Sequence, residues 1–322
     1  DLPGILKVKT KAFNHNEIRS IGAMICLRGD EVQRLITSDA EIFRDLELGC
    51  EILDCSFLSA LIYRPQLKRC EWLDQNSQTL LSLPESTELF APYKGIIYNK
   101  ANHVALIADW AKKRVVVLGP KNQLARLENF EVGLKANLTA SANRLIVIDG
   151  VTVTMIQENH EKVTYTYPAS VRYVQCEVDK YIVATRQHLY FESLDGQRLR
   201  VITKASPHVY YMAETLISYR EGQFTINAMN KQVNSISKSQ DFNLFVHLLS
   251  IPSFELKSIR LINDNIIACV LQPPNYLLSL PLIYNIKEND FKEVTQAMYG
   301  SHYWILNRLI FVNIDGSCAK VV

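Results

Sequence analysis

The sequence predicts an all-β fold, a β-propeller of seven or eight four-stranded blades, from three observations. Short runs rich in Val, Ile, Tyr and Phe, the residues that favour strands, recur along the whole chain. The stretch Ser170–Thr203, SVRYVQCEVDKYIVATRQHLYFESLDGQRLRVIT, packs four such runs into one compact unit: Val171–Cys176, Tyr181–Arg186, His188–Leu194 and Arg198–Thr203. Asp195-Gly196 between the last two is a dipeptide that tolerates positive φ and closes a tight hairpin. Units of this kind repeat eight times at a mean step of about 40 residues, within the range of propeller blades. A sheet that is apolar on both faces cannot cover itself, so it needs neighbours on both sides. Two packed β-sandwiches are the alternative, because regular turn spacing suits them as well.

Taken in order, the run Ile5–Thr10 alternates with period two from Leu6 onward and reads as a strand with a basic face. It is expected to complete the last blade. The first internal unit has Ala23–Leu27, Glu31–Thr37 and Glu41–Leu46, with Arg28-Gly29-Asp30 as a turn. The second has Cys50–Cys55, Phe57–Tyr63, Leu67–Leu73 and Thr79–Leu83, and the third runs through Leu89, Gly95–Tyr98, His103–Asp109 and Arg114–Leu118. A helix-like insertion near 120–131, KNQLARLENFE, spaces Leu124, Leu127 and Phe130 by three. The fourth unit follows with Gly133–Ala140, Arg144–Asp149, Val151–Gln157 and Val163–Tyr167. After the fifth, described above, the sixth has Val209–Met212, Thr215–Tyr219, Phe224–Met229 and Val233–Ile236. A second insertion spans 239–254; then come Leu256–Ile262, Ile266–Leu271 and Tyr276–Ile286 as the seventh unit. The eighth has Tyr303–Leu306 and Leu309–Ile314 and ends at Val322. Residues 1–322 therefore read as a single propeller domain with two insertions.

In CEWLDQNSQTLLSL, VALIADWAKKRVVVLG, LYFESLDGQRLRVI and IFVNIDGSCAKVV, an apolar strand ends in Asp, a polar turn follows and an apolar strand returns. In this rhythm the chain resembles the WD40-like β-propellers. Leu73-Asp74, Ala108-Asp109, Leu194-Asp195 and Ile314-Asp315 are similar to the place where those repeats carry Trp-Asp. No Trp-Asp dipeptide occurs, and no Gly-His pair precedes a blade. The resemblance implies a divergent propeller.

Composition bounds the function. Hydrophobic residues make up 48% and charged residues 21%, the balance of a globular chain, and the net charge of +2 provides no global basic field for nucleic acid or membrane. The seven cysteines are odd in number and form no CxxC; most lie in apolar runs, which points to reduced core residues in a cytoplasmic or nuclear protein. Residues 1–13 lack the apolar core of a signal peptide. Ile266–Tyr284 is uncharged and long enough to cross a bilayer, but Pro273-Pro274-Asn275 fits a turn between two strands better. The sequon Asn137-Leu138-Thr139 falls in a predicted strand.

No nucleophile elbow, phosphate-binding glycine loop or HExxH is present, and the seven histidines are scattered without ligand spacing. The expectation is no enzyme activity, no metal and no cofactor. The most specific feature is positional: Arg28, Arg64, Arg186, Arg220 and Arg308 each follow a strand read as the second of its unit. In a propeller those turns share one face, and guanidinium forks suit carboxylate and phosphate groups. Simple solvation, or pairing with Asp30 and Glu221, accounts for the same arginines without a partner. The insertion residues Phe242, Leu244, Phe245, Leu248 and Leu249 form a candidate apolar anchor, or else fold back onto the propeller. Trp72, Trp110 and Trp304 read as packing residues.

The leading function is a non-catalytic protein-interaction module or scaffold subunit, with other protein subunits or peptide motifs as partners and an acidic or phosphorylated segment docked on the arginine face. A nucleic-acid-binding propeller, with Tyr63, Tyr219 and Trp304 as stacking platforms, is one alternative. A hydrolase with paired carboxylates is the other.

Overall fold

The computed structural model describes residues 6–321 apart from 9, 82–92, 113, 120–135, 142–143, 157–161, 178, 205–207, 213–214, 221–222, 229–237, 242–254, 264–265, 273–277, 286–289, 294–297 and 307. The described residues form antiparallel strands with one short 3-10 turn, Pro65–Leu67. They divide into two compact units, residues 47–204 and residues 1–46 with 205–322.

The unit of residues 47–204 holds four sheets. Sheet two is Glu51–Ser56, Ser59–Arg64, Arg69–Asp74 and Gln78–Leu81. Sheet three is Tyr93–Asn99, Val104–Asp109 and Arg114–Leu118. Sheet four is Asn137–Ser141, Arg144–Asp149, Thr152–Ile156 and Lys162–Thr166. Sheet five is Val171–Cys176, Lys180–Thr185, His188–Ser193 and Arg198–Thr203. Each is a simple meander in which consecutive strands pair. As expected for the Asp-Gly hairpin, Gly196 has φ +100° and the Gln197 carbonyl accepts from Ser193 N–H at 2.8 Å.

Period-two alternation explains the stacking. In sheet three Ala105 and Ile107 pack against Leu61, Tyr63 and Trp72 of sheet two. The residues between them, Leu106 and Ala108, face Leu138, Leu145 and Val147 of sheet four. Both faces of the strand are thus core, and each fully buried Leu, Ile or Val contributes about 1.5–3 kcal/mol. Sheets four and five repeat the pattern, with Ile146, Val153 and Met155 against Tyr181, Val183 and Tyr190.

In the other unit, sheet one is Glu17–Ile21, Met24–Arg28, Val32–Ile36 and Ile42–Glu47. Its first strand escaped the sequence reading because EIRSI has only two apolar residues and none is buried. Sheet six is His208–Met212, Thr215–Arg220, Gln223–Ala228 and Lys238–Asp241. Its fourth strand was expected at Val233–Ile236, which lies outside the described residues; the strand that pairs is Lys238–Asp241, so Ser239–Asp241 belong to the sheet rather than to an insertion. Sheet seven is Glu255–Asn263, Ile266–Gln272, Leu278–Asn285 and Asp290–Glu293. The long uncharged stretch is therefore a strand pair, with Ile266 opposite Asn285, and no helix among the described residues is long and apolar enough to cross a membrane. Sheet eight is Met298–Ile305, Arg308–Asn313, Cys318–Val321 and the N-terminal Leu6–Val8, which pairs Leu6 with Val321. Only Leu278↔Tyr299 and Ser279↔Met298 bridge sheets seven and eight into one ladder, so the described residues form eight units.

Two further features join sheets two and three. Gly95, in the first strand of sheet three, lies so close to sheet two that a Cβ there would sit 2.4 Å from the Leu53 Cβ. Asp74, at the end of the third strand of sheet two, accepts hydrogen bonds from Ser59 Oγ at 2.6 Å and Trp72 Nε1 at 3.1 Å, and His103 Nε2 of sheet three lies 3.3 Å from it. Partial burial pulls the Asp74 carboxyl upward, but the Ser59 and Trp72 bonds, the His103 ring and Ser77 outweigh it and hold it below its usual range.

Replacing Gly95 with Ala is expected to cost about 2–3 kcal/mol in urea unfolding, because a packed neighbour must shift. Gly119→Ala, whose Cβ would meet Val104 Cγ2 at an ordinary 3.5 Å, is expected to stay within about 0.5 kcal/mol of the parent. Asp74→Ala leaves Trp72 Nε1 and Ser59 Oγ without their acceptor and is expected to cost about 2–4 kcal/mol at pH 7. Since the folded-state pKa is depressed, that contribution is present above the unfolded value near 3.8 and fades as the pH falls through the folded one. Parent and variant melting curves are expected to converge in that acid range.

Candidate functional site

Within the unit of residues 47–204, the sheets are set side by side with their ends in step. The first strands of sheets two and three run in the same direction: Tyr93 Oη donates to Glu51, Ile97 N–H to Asp54 at 2.7 Å and Lys100 Nζ to the Phe57 carbonyl, so partners advance together along both strands. In an antiparallel meander the turn between second and third strands lies where the first strand begins. The corresponding turns of sheets two and three, after Arg64 and after Asp109, therefore share an end. Val171 N–H donates to the Gly150 carbonyl at 2.8 Å, which brings the start of sheet five to the same turn of sheet four. Lys94 Nζ, near the start of sheet three, reaches Asn137 Oδ1 and the Leu138 carbonyl of sheet four.

The arginines at this end differ in what they meet. Arg64 Nε donates to Glu71 Oε2 at 2.9 Å and its Nη1 to Glu47 at 3.2 Å, while Arg69 Nε donates to Glu71 Oε1 at 2.8 Å. Glu71 is fully buried, and two guanidiniums satisfy it. Arg64 and Arg69 are thus tied up in holding one buried carboxylate in place.

Sheet five is different. Its second strand ends at Thr185, and Arg186, the next residue, is exposed. Thr185 Oγ1 accepts from His188 N–H at 3.1 Å, pinning the turn. Lys204, just past the fourth strand, donates its N–H to the Gln187 carbonyl at 2.8 Å and its Nζ to the Thr185 carbonyl at 2.8 Å. Arg172 is exposed in the first strand, at the bulge between Val171 and Tyr173, opposite Ala184 and Thr185. Burial first, and the Arg172 cation second, hold the Lys204 ammonium below its ordinary range. Three parts of one sheet thus each bring a cation to the same end, and among the described residues no carboxylate hydrogen-bonds to any of them. The neighbouring turn carries one exposed carboxylate, Asp149, next to Gly150.

The remaining arginines read from the sequence lie in the other unit. Arg28 ends the second strand of sheet one and pairs loosely with Glu17 at 3.9 Å rather than with Asp30. Arg220 ends the second strand of sheet six. Arg308 is a correction: it begins the second strand of sheet eight, so it sits at the opposite end of its sheet from the second-to-third turn. The N-terminal strand takes fourth place in that sheet, which makes Met298–Ile305 the first strand and not the second. There Arg308 pairs with Asp39, which also accepts from Lys320 Nζ at 2.8 Å. Of the four Asp slots, only those of Asp74 and Asp195 follow a third strand; Asp109 and Asp315 follow a second strand, because the same rhythm occurs at both turns. Phe242, Phe245 and Leu248 lie outside the described residues, as does the stretch 121–131. Arg172 and Lys204 went unread because only cations after second strands were collected; collecting those at every strand end would have found them.

Glu71→Gln is expected to act in opposite directions on two measurements. Stability falls by about 1–3 kcal/mol, since the charged bonds to a buried carboxylate are lost. Affinity of the turn face for an acidic peptide rises, because Arg64 and Arg69 are released toward solvent. Urea unfolding and peptide titration on the same sample check both.

No protein-family model and no curated protein matches the sequence. Solved structures do: Kluyveromyces lactis Hsv2p is similar over 88% of this chain and 97% of its own at 10% identity, with a TM-score of 0.50. The N-terminal domain of Nup159 matches over 71% of this chain and 78% of its own at 8% identity, TM-score 0.44. The Neurospora crassa Pan2 WD40 domain matches over 66% of this chain and 69% of its own at 11% identity, TM-score 0.39. At these identities the likeness concerns fold alone: the chain folds as a β-propeller.

Proposed function

We propose that the chain is a non-catalytic protein-interaction module that docks an acidic segment of a partner protein at the tip of sheet five. The observation that carries this reading is the charge imbalance on the turn face. Arg64 and Arg69 have carboxylates in Glu71 and Glu47, whereas Arg172, Arg186 and Lys204 present three cations beside the single carboxylate of Asp149. Arg186 sits on a pinned turn and Lys204 is half-buried and anchored to that turn, so both lose little freedom on binding, which favours affinity for a complementary partner. A nucleic-acid reading has less support. Tyr63 is buried with its ring edge-on to Tyr93 at 5.8 Å, so it offers no stacking surface, and the net charge is only +2.

The test is fluorescence anisotropy with a labelled Glu/Gly dodecapeptide on the full chain. The combined substitution Arg172→Glu, Arg186→Glu and Lys204→Glu is expected to weaken binding at least tenfold with circular dichroism unchanged. Equal affinity of parent and variant would overturn the docking site. Tighter binding of a single-stranded oligonucleotide than of the peptide would move the assignment to nucleic acid.

A further inference from the structure

We infer that the tip of sheet five is a phosphate-binding subsite, taking the phosphomonoester of a phosphorylated Ser or Thr within the docked segment. This rests on the docking reading above and narrows its chemistry. The ends of sheets two and five differ: sheet two meets its arginines with Glu71 and Glu47, whereas among the described residues no carboxylate hydrogen-bonds to Arg172, Arg186 or Lys204.

The donors match that group. A phosphomonoester offers three terminal oxygens and about −1.5 to −2 charge at neutral pH, where a carboxylate offers two oxygens and one charge. Arg172 comes from the first strand, Arg186 from the second-to-third turn and Lys204 from beyond the fourth strand, so three separate segments each bring a cation to the same end of the sheet. The Lys204 ammonium spends one of its three protons on the Thr185 carbonyl at 2.8 Å, and among the described residues the other two have no hydrogen-bond acceptor. Thr185, itself buried, accepts from His188 N–H and fixes the turn that carries Arg186. Because Lys204 is disfavoured as a cation by burial and by Arg172, an anion placed between them relieves both penalties.

The experiment immobilises the full chain and compares a library of fifteen-residue peptides, phosphorylated at a central Ser between Glu and Gly positions, with the same library unphosphorylated. The expected result is at least tenfold greater retention of the phosphorylated library, displaced by millimolar inorganic phosphate. The preference is lost in Arg186→Ala and in Arg172→Ala and kept in Lys100→Ala, at the opposite end of sheet three. Arg186 is exposed, so its variant is expected to fold, and a melting curve confirms it. Equal retention of both libraries, still abolished by Arg186→Ala, overturns the phosphate subsite and leaves acidic docking standing. Retention of neither overturns both. Preference for a single-stranded oligonucleotide over the phosphopeptides overturns the subsite in favour of nucleic acid.

Discussion

The geometry of the turn face depends on how the first strands of sheets two and three meet. Gly95 lets Leu53 approach, and the Asp54 carboxylate accepts the N–H of Ile97 from the next sheet and of its own neighbour Cys55. Burial pushes the Asp54 carboxyl up, while the two N–H bonds and the Lys94 cation act against it. A carboxylate this enclosed is costly unless its bonds are well made, and here they join two sheets whose main chains are not laddered together. Both strands have a register irregularity at this place, between Ile52 and Asp54 and between Ile97 and Asn99. An N–H outside the regular ladder is what a side chain from a neighbouring sheet can use.

Buried acids then decide where positive charge is left over. In sheet two Glu71 sits near the start of the third strand and absorbs Arg64 and Arg69. In sheet five the buried acid of the third strand is Glu192, near its far end, where it accepts from Arg198 Nε at 3.0 Å and from Tyr167 Oη at 3.3 Å. Arg198 also lies over the Tyr190 ring, 4.9 Å from its centre. Similar chemistry placed at opposite ends of two otherwise alike sheets neutralises the tip of one and leaves the tip of the other charged.

Much of the fold was legible because alternation and turn chemistry are local. Val171–Cys176, Arg144–Asp149 and Arg198–Thr203 have the ends expected from their apolar runs, and the Pro273-Pro274-Asn275 break correctly split a membrane-length stretch into two strands. The candidate site was legible only in part. Arg64 and Arg186 lie at second-strand ends as read, but whether a guanidinium is free depends on carboxylates brought in by the third strand and by Glu47, a tertiary matter. Arg308 was placed at the wrong end because one strand's rank in its sheet depends on a segment some 300 residues away. Tyr63 looked like an exposed aromatic near a turn, yet its position in the alternation turns it into the core shared with sheet three.

That remote pairing also sets a timetable. Leu6–Val8 closes the ladder of sheet eight and Thr10 Oγ1 accepts from Cys318 N–H across a separation of 308 residues. On a ribosome, Leu6–Val8 must stay unpaired until Cys318–Val321 emerges, while sheets built from neighbouring residues form in between. The waiting strand alternates Lys with apolar residues, LKVK, and lysine on an unpaired edge discourages premature pairing with other chains. Closing so long a loop carries a high entropic barrier, so the last sheet is expected to be the slow step of folding, with the Lys-bearing face keeping the open edge soluble meanwhile.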